Sequence, residues 1–166
     1  MRILAIDSGL ERTGYALFDK GKQLKNGFNY LHSGLIHTDK SLTKENRLLK
    51  IYQSLSQIVK TDKPRRIVME QLFFFKNAKT VISVAQAQGV VLLLASQHTI
   101  PLEFLTPLQI KQIITGYGRA DKKSVQKMLK LTLPHNGELK QDDVADAIAC
   151  GAAYCYLNQK LSYKSE

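Results

Sequence analysis

The chain has 166 residues and a mass of 18.7 kDa, the size of one ordinary domain. With 44% hydrophobic and 23% charged residues, its composition argues against a disordered or fibrous protein. The 24 Lys and Arg residues outnumber the 14 Asp and Glu residues. The resulting net charge of +10 favours a polyanionic partner, either nucleic acid or an anionic membrane surface.

Five short apolar segments predict β-strands. They cover residues 3–7, 13–18, 29–38, 66–70 and 102–105. The first three follow one another through short polar connections, which favours antiparallel hairpins.

Helical patterns alternate with the later strands. Between Ser41 and Pro64, apolar residues recur at three- and four-residue steps and define one stripe: Leu48, Leu49, Tyr52, Leu55, Ile58 and Val59. Further helices are predicted over residues 77–97, 107–114, 122–131 and 142–159, with a break at 116–118 and a loop at 134–137. The alternation predicts an α/β fold with helices packed on a mixed sheet. We expect one domain over residues 1–158 and a short polar tail over 159–166.

No segment predicts membrane insertion or export. The longest apolar run, residues 90–95, is far shorter than the ~20 residues that a membrane span requires. Asp7 interrupts the first apolar run, so the N-terminus is unlike a signal peptide. Cys150 and Cys155 lack zinc-site spacing and are interpreted as reduced core thiols. We therefore expect a cytoplasmic protein of a bacterium or its phage that does not bind membranes.

Acidic residues occur at the ends of, or within, apolar segments. Asp7 ends the first strand and Glu70 the fourth, while Asp143 and Asp146 lie in an otherwise apolar helix. A carboxylate in such a place is costly unless it is hydrogen-bonded, paired or bound to a cation. Carboxylates without His or Cys select Mg²⁺ or Mn²⁺, and two such ions ~3.5–4 Å apart suit phosphodiester hydrolysis.

Each acid also has a purely structural explanation. Asp7 can hydrogen-bond the turn at Gly9, Glu70 can cap the next segment, and the acids near residue 142 can cap a helix N-terminus. Their joint occurrence in a basic protein favours the metal site. Helical spacing does not separate Asp142 from Asp143, because both share a face with Asp146.

Basic and aromatic residues near these acids suit nucleic acid. Lys111, Arg119, Lys122 and Lys123 surround the break at 116–118 and can hold phosphates, although a solvated surface explains them equally well. Three consecutive Phe residues at 73–75 cannot all point inward. At least one is therefore expected to be exposed beside Glu70, where it could stack on a base.

The sequence resembles the RuvC family of Holliday-junction resolvases over nearly its whole length, from Met1 to about Tyr156. The matching segments are residues 6–9, 13–15, 30–36, Glu70 and Gln71 with Phe73 and Asn77, residues 85–90, 111–112 and 143–147. The resemblance implies a ribonuclease-H-like fold, with a central five-stranded mixed sheet and helices on both faces. It also implies a homodimer that nicks two like strands of a four-way junction symmetrically, leaving 5′-phosphate and 3′-hydroxyl ends, in homologous recombination and DNA repair.

The resemblance assigns the site residue by residue. It implies that Asp7, Glu70, Asp143 and Asp146 are catalytic and hold two Mg²⁺ ions, for which Mn²⁺ substitutes. It thereby chooses Asp143 over Asp142.

For DNA binding, the resemblance matches Phe73 to an aromatic that contacts a base at the crossover. Lys111 and Lys122 match basic DNA-contacting positions, with Lys122 and Lys123 hard to tell apart. Ser8 departs from the proline that is common after the first Asp. The family also works with a branch-migration motor. We expect the helix at 77–97, rich in small residues, to form the dimer contact.

Three other functions share parts of the pattern. A nuclease of the same fold that processes RNA precursors shares the Asp-x-Gly and Thr-Gly motifs, but the segment from Glu70 to Phe73 and the greater length count against it. An actin-like nucleotide-binding lobe begins similarly but requires a second lobe. A junction-binding module without catalysis would gain nothing from four acids facing phosphates.

Overall fold

In a computed structural model, the described part of the chain forms a five-stranded mixed sheet with five helices. The structure describes residues 1–21, 24, 27–72, 78–133 and 141–162, with only the backbone of 78–80 and 158–162. The strands are β1 (Arg2–Asp7), β2 (Arg12–Lys20), β3 (Phe28–His37), β4 (Arg66–Glu70) and β5 (Leu102–Leu105). The helices are α1 (Lys44–Asp62), α2 (Ala78–Gln97), α3 (Pro107–Thr115), α4 (Lys122–Thr132) and α5 (Asp142–Ser162).

The sheet order is β3-β2-β1-β4-β5. β2 pairs antiparallel with both β1 and β3, which confirms the predicted hairpins, whereas β4 runs parallel to both β1 and β5. Because Ile6 is paired with Met69, the parallel strands β1 and β4 end side by side. Asp7 and Glu70, the next residue of each strand, therefore reach the same edge of the sheet.

Helices cover both faces of the sheet, as expected. Ile3 and Ala5 of β1 belong to a core with α3, α4 and α5, while Leu4 and Ile6 belong to a core with α1 and α2. The alternation follows from the two-residue side-chain period of a strand. All four side chains are fully buried, so β1 is the centre of both cores.

Glycines allow α5 to lie unusually close to the sheet. A Cβ on Gly14 of β2 would overlap the backbone carbonyl of Asp143 and lie 2.9 Å from the nitrogen of Val144. A Cβ on Gly151 would lie 2.9 Å from the Cβ of Ala5 and would overlap the ring of Phe18. These two contacts hold the first turns of α5, which carry the acids, against β1 and β2.

The helix positions agree with the sequence pattern except in detail. On α1 the contact line is Ile51, Leu55 and Val59, spaced by four residues, whereas Leu49 is 50% exposed. Including Leu49 in the apolar stripe was wrong, because it lies on a different side of the helix from this line. α5 continues to Ser162, three residues beyond the predicted end, and the predicted loop at 134–137 lies outside the described residues. Within the described part of the chain, no helix is both long and apolar enough to cross a lipid bilayer.

The fit of α5 can be tested by replacing Gly151 with Ala. In a helix interior this change normally stabilises by about 0.5–1 kcal/mol, because Gly loses more backbone entropy on folding. Here we expect a loss of about 1–3 kcal/mol, since the new methyl group would overpack the core at Phe18.

Chemical denaturation of both proteins measures the difference in unfolding free energy. Gln53→Ala is the control, because Gln53 is exposed in the middle of α1 and Ala has the higher helix propensity. That variant should be as stable as the parent or more so. Equal stabilisation by both substitutions would contradict the close approach of α5.

Candidate active site

A cleft of about 400 Å³ opens at the edge of the sheet where β1 and β4 end. Asp7 from β1, Glu70 from β4 and Asp146 from α5 line it, together with Lys111 from α3 and Lys122 from α4. The fold thus brings together three of the four predicted acids and two of the four predicted cations. With Val84 and Gln88 of α2, residues from six separate elements line this cleft.

The turn after Asp7 is held by buried threonines. The hydroxyl of Thr13 donates a hydrogen bond to the carbonyl oxygen of Gly9 at 2.7 Å. The hydroxyl of Thr38 donates to the carbonyl of Leu10 and accepts one from Nε of Arg47. Both threonines are fully buried, so the turn that follows β1 is fixed. Sequence analysis offered a hydrogen bond from Asp7 to this turn as a structural explanation of the acid. Among the described residues, the hydrogen bonds to the turn come instead from Thr13 and Thr38.

Asp7 lies in an electrostatically unfavourable position in the cleft. Burial is the largest cause and, with the negative charges of Asp146, Glu70 and Asp143, raises the pKa of Asp7 from 3.8 to about 8. Lys122 opposes this shift without cancelling it. In the absence of a bound cation, Asp7 is therefore largely protonated at neutral pH.

Lys122 neutralises part of the acidic cluster. Its Nζ lies 2.9 Å from Oδ2 of Asp146 and 3.5 Å from Oδ1 of Asp142. Burial alone would lower the pKa of Lys122, but the hydrogen bond and ion pair with Asp146 outweigh it and raise the pKa. The pKa of Asp146 is also raised, chiefly by burial.

Asp143 and Asp142 occupy different surroundings. The side chain of Asp143 is 30% exposed and its Oδ2 accepts a hydrogen bond from Nε of Arg12, whereas the side chain of Asp142 is 73% exposed. Asp143 lies outside the cleft lining, although its charge contributes to the raised pKa of Asp7. Arg12 thus holds Asp143 at the margin of the cluster.

The chemistry of the donor set fits divalent cations. Asp7, Glu70 and Asp146 offer only carboxylate oxygens, the ligands of Mg²⁺ and Mn²⁺. Among the described residues, no three acidic, His or Cys side chains stand close enough to hold an ion as they are placed. Lys122 holds Asp146 in an ion pair, so that carboxylate would have to leave it to join a cation. Burial and the charges of the neighbouring acids raise the pKa of Asp7, and a bound cation would relieve the repulsion among these charges.

The other predicted DNA contacts lie around the cleft or outside the described residues. Arg119 and Lys123 are exposed and lie outside the cleft lining, so that Lys122, not Lys123, faces the acids. Phe73 lies outside the described residues. Ser8 lines the cleft and is 8% exposed.

Two polar residues at the site escaped the sequence analysis. Arg12 pairs with Asp143 across 131 positions of sequence, and no local pattern marks such a partner. Nε2 of Gln88 donates a hydrogen bond to the backbone carbonyl of Glu70 at 3.0 Å and fixes the end of β4. The feature of the sequence that could have identified Gln88 is its polar side chain in a helix of small and apolar residues.

Comparison with known proteins identifies the family. The family model for crossover junction endodeoxyribonuclease RuvC matches residues 3–154. The chain belongs to this family. It is 41% identical to the crossover junction endodeoxyribonuclease RuvC of Caldicellulosiruptor saccharolyticus, covering 100% of this chain and 99% of that protein. The corresponding protein of Fusobacterium nucleatum is 43% identical, covering 98% of this chain and 85% of the relative.

Solved structures agree on the fold. T. thermophilus RuvC in complex with Holliday junction substrate superposes with a TM-score of 0.87 at 23% identity, covering 98% of this chain and 97% of that one. The yeast mitochondrial Holliday junction resolvase gives a TM-score of 0.70 at 15% identity, covering 97% and 80%. The predicted ribonuclease-H-like fold is thereby confirmed.

The raised pKa of Asp7 predicts how the stability of the metal-free protein depends on pH. A raised pKa contributes stability that is complete below the unfolded value, near pH 4, and is lost as pH rises through about 8. Replacing the carboxyl group of Asp7 with an uncharged amide should abolish this loss of stability. We therefore expect Asp7→Asn to gain more than about 1 kcal/mol over the parent between pH 4 and pH 8.

Denaturation in the presence of a chelator, repeated across this pH range, measures the effect. Asp39→Asn is the control, because hydrogen bonds from Ser41 lower the pKa of the exposed Asp39. From about pH 5 upwards its substitution should cost an amount of stability that does not change with pH, because a lowered pKa contributes stability that is already complete there. A flat difference between Asp7→Asn and the parent would contradict the electrostatic strain on Asp7.

Proposed function

We propose that this chain is a divalent-metal-dependent endonuclease that resolves four-way DNA junctions in recombination and repair. It would nick two like strands symmetrically and leave 5′-phosphate and 3′-hydroxyl ends. The observation that carries the proposal is the meeting of Asp7, Glu70 and Asp146 in one cleft that Lys111 and Lys122 also line. Family membership supports the same activity, and the T. thermophilus relative was solved with a Holliday junction substrate.

An acidic cleft can accept a phosphodiester only if its own charge is compensated. Asp7, Glu70 and Asp146 would hold two Mg²⁺ ions, for which Mn²⁺ substitutes, with Asp143 completing the ligand set. Bound there, the ions would neutralise the carboxylates, polarise the scissile phosphate and stabilise the attacking and leaving oxygens. The threonine-braced turn after Asp7 and the hydrogen bond from Gln88 at Glu70 hold two of these acids in place before substrate arrives.

The lysines of the cleft would hold the DNA backbone. Lys122 pairs with Asp146 and Asp142 in this structure. It can bind a phosphate instead once a metal ion compensates the charge of Asp146. Lys111 lies in the same cleft, so the two ammonium groups would position the strand through its phosphates. Arg119 and Lys123, which lie outside the cleft lining, would contact the DNA further along, and Phe73 would contact a base at the crossover.

A homodimer would place one cleft on each of two like strands, matching the two-fold symmetry of a junction. α2 offers an apolar face for this contact, with Ile82 65%, Leu93 56% and Leu92 45% exposed. Ala85 and Gly89 lie between them and are also exposed, so a partner helix could approach closely.

We also propose, from the family resemblance, a branch-migration motor as partner and a cytoplasmic location.

The cleavage assignment is tested with a synthetic four-way junction and matched linear duplex, each incubated with Mg²⁺ and with chelator. The parent should nick only the junction, in pairs and only with Mg²⁺. Asp7→Asn should reduce cutting below detection while leaving junction affinity within about twofold, because it removes a cation ligand and not a phosphate contact.

Asp142→Asn is the matched control for the acids, since Asp142 is exposed and lies outside the cleft lining. It should cut like the parent. Mg²⁺ should also raise the melting temperature of the parent at pH 8 by more than that of Asp7→Asn. Equal cutting by Asp7→Asn and the parent would overturn the role of Asp7. Tight junction binding by the parent without cutting would indicate a binding module.

The dimer contact is tested by Leu93→Lys, which places a charge on the exposed face of α2. Burying an unpaired ammonium in an apolar contact is unfavourable, so we expect this variant to sediment as a monomer. Leu49→Lys on α1, where Leu49 is 50% exposed, is the control and should remain dimeric. If Leu93→Lys and the parent form the same species at equal concentration, α2 is not the contact.

A further inference from the structure

The turn between α3 and α4 presents an aromatic side chain that the described residues leave largely in solvent. Tyr117 is 61% exposed, more than any other aromatic residue in the described part of the chain. Within that part, its hydroxyl group makes no hydrogen bond to another residue. A side chain of this size, left in solvent, is available to a partner.

The turn that carries Tyr117 is rigid. The side-chain amide of Gln112 donates a hydrogen bond to the carbonyl of Gly116 at 2.7 Å and accepts one from the amide of Gly118 at 2.8 Å. The backbone N–H of Tyr117 donates to the hydroxyl of Thr115 at 3.1 Å. Gly116 ends α3 in the left-handed conformation, with φ of 78°, which few other residues adopt readily.

Gly118 allows the turn to fold back on α3. A Cβ there would lie 3.1 Å from Cγ of Leu108 and 3.4 Å from Oε1 of Gln112. Leu108 is itself 59% exposed, so the folded turn adds an apolar patch beside Tyr117. A contact made by such a pre-ordered turn costs little conformational entropy.

The turn lies next to the cleft and among positive charges. Lys111 and Lys122, on the helices at its two ends, both line the cleft that contains the acids. Arg119 within the turn and Lys123 just after it are exposed. The acid of this segment, Asp121, caps α4 by accepting a hydrogen bond from the amide of Ser124. An exposed aromatic among cations is the arrangement with which proteins bind unstacked bases.

We propose that Tyr117 stacks on an unstacked base of the DNA that occupies the cleft, as a positioning residue for cleavage. The inference rests on the proposed function, since it takes the substrate to be junction DNA. Lys111, Lys122 and Arg119 hold the phosphates around the base, and Tyr117 fixes the register of the strand relative to the acids. Stacking uses the ring and not the hydroxyl, so Phe can replace Tyr at this position.

The test combines junction binding with photo-crosslinking. Tyr117→Ala, Tyr117→Phe and Tyr117→Leu are compared with the parent on fluorescent junctions in chelator, which prevents cutting. We expect Tyr117→Ala and Tyr117→Leu to bind about five- to tenfold more weakly, and Tyr117→Phe to bind like the parent. Leu49→Ala, an exposed apolar residue on α1, is the matched control and should leave affinity unchanged.

Junctions with 5-iodouracil at successive positions of each arm then locate the contact. Irradiation should crosslink one position to the peptide that contains Tyr117, and Tyr117→Leu should abolish that crosslink. Parent-like binding by Tyr117→Ala without a crosslink at any position would overturn the stacking role alone. If the parent neither prefers nor cuts the junction, the proposed function itself fails. If Tyr117→Ala instead turns a dimer into a monomer and no crosslink forms, Tyr117 belongs to a protein contact and the inference is wrong.

Discussion

The contact between α5 and the sheet is the constraint on which the candidate site depends. Gly14 lets the backbone of Asp143 approach β2, and Gly151 lets the helix lie on Phe18 and Ala5. The intervening residues of α5 are largely small and buried, so the helix lies flat on β1 and β2. Any side chain at these glycines would tilt the helix away from the sheet. The distance between Asp146 and Asp7 is therefore set by backbone packing and not by the acids, which repel one another.

Nearby cations compensate only part of the negative charge of the acids in this arrangement. Lys122 pairs with Asp146 and Arg12 pairs with Asp143, yet burial and the neighbouring acids raise the pKa of Asp7 to about 8 against the opposing charge of Lys122. This electrostatic cost lowers the stability of the fold as pH rises above the usual pKa of an aspartate, and a divalent cation bound among the acids would reduce it.

Sequence analysis predicted the elements that local patterns determine, and missed what distant residues determine. Strand-ending acids such as Asp7 and Glu70 were found because an acid after an apolar run is unusual, and parallel pairing then brings them together. Leu49 was misplaced because a three- and four-residue spacing is compatible with several helix faces, and the packing partner chooses among them. Arg12 was missed because its partner Asp143 is distant in sequence. Family resemblance, not helix geometry, separated Asp143 from Asp142.

The order of the strands and helices along the chain also determines when, during synthesis, the acidic cleft can be completed. Asp7 lies in the first strand, Glu70 in the fourth, and Asp146 in a helix that follows all five strands. An N-terminal fragment on the ribosome can therefore form the hairpins of the sheet but lacks the carboxylate that α5 contributes to the cleft. A chain that stalls or misfolds before α5 docks would hold an incomplete set of acids beside DNA. Because α5 follows every strand in the sequence, the acidic cleft is the last part of the fold that the growing chain can complete.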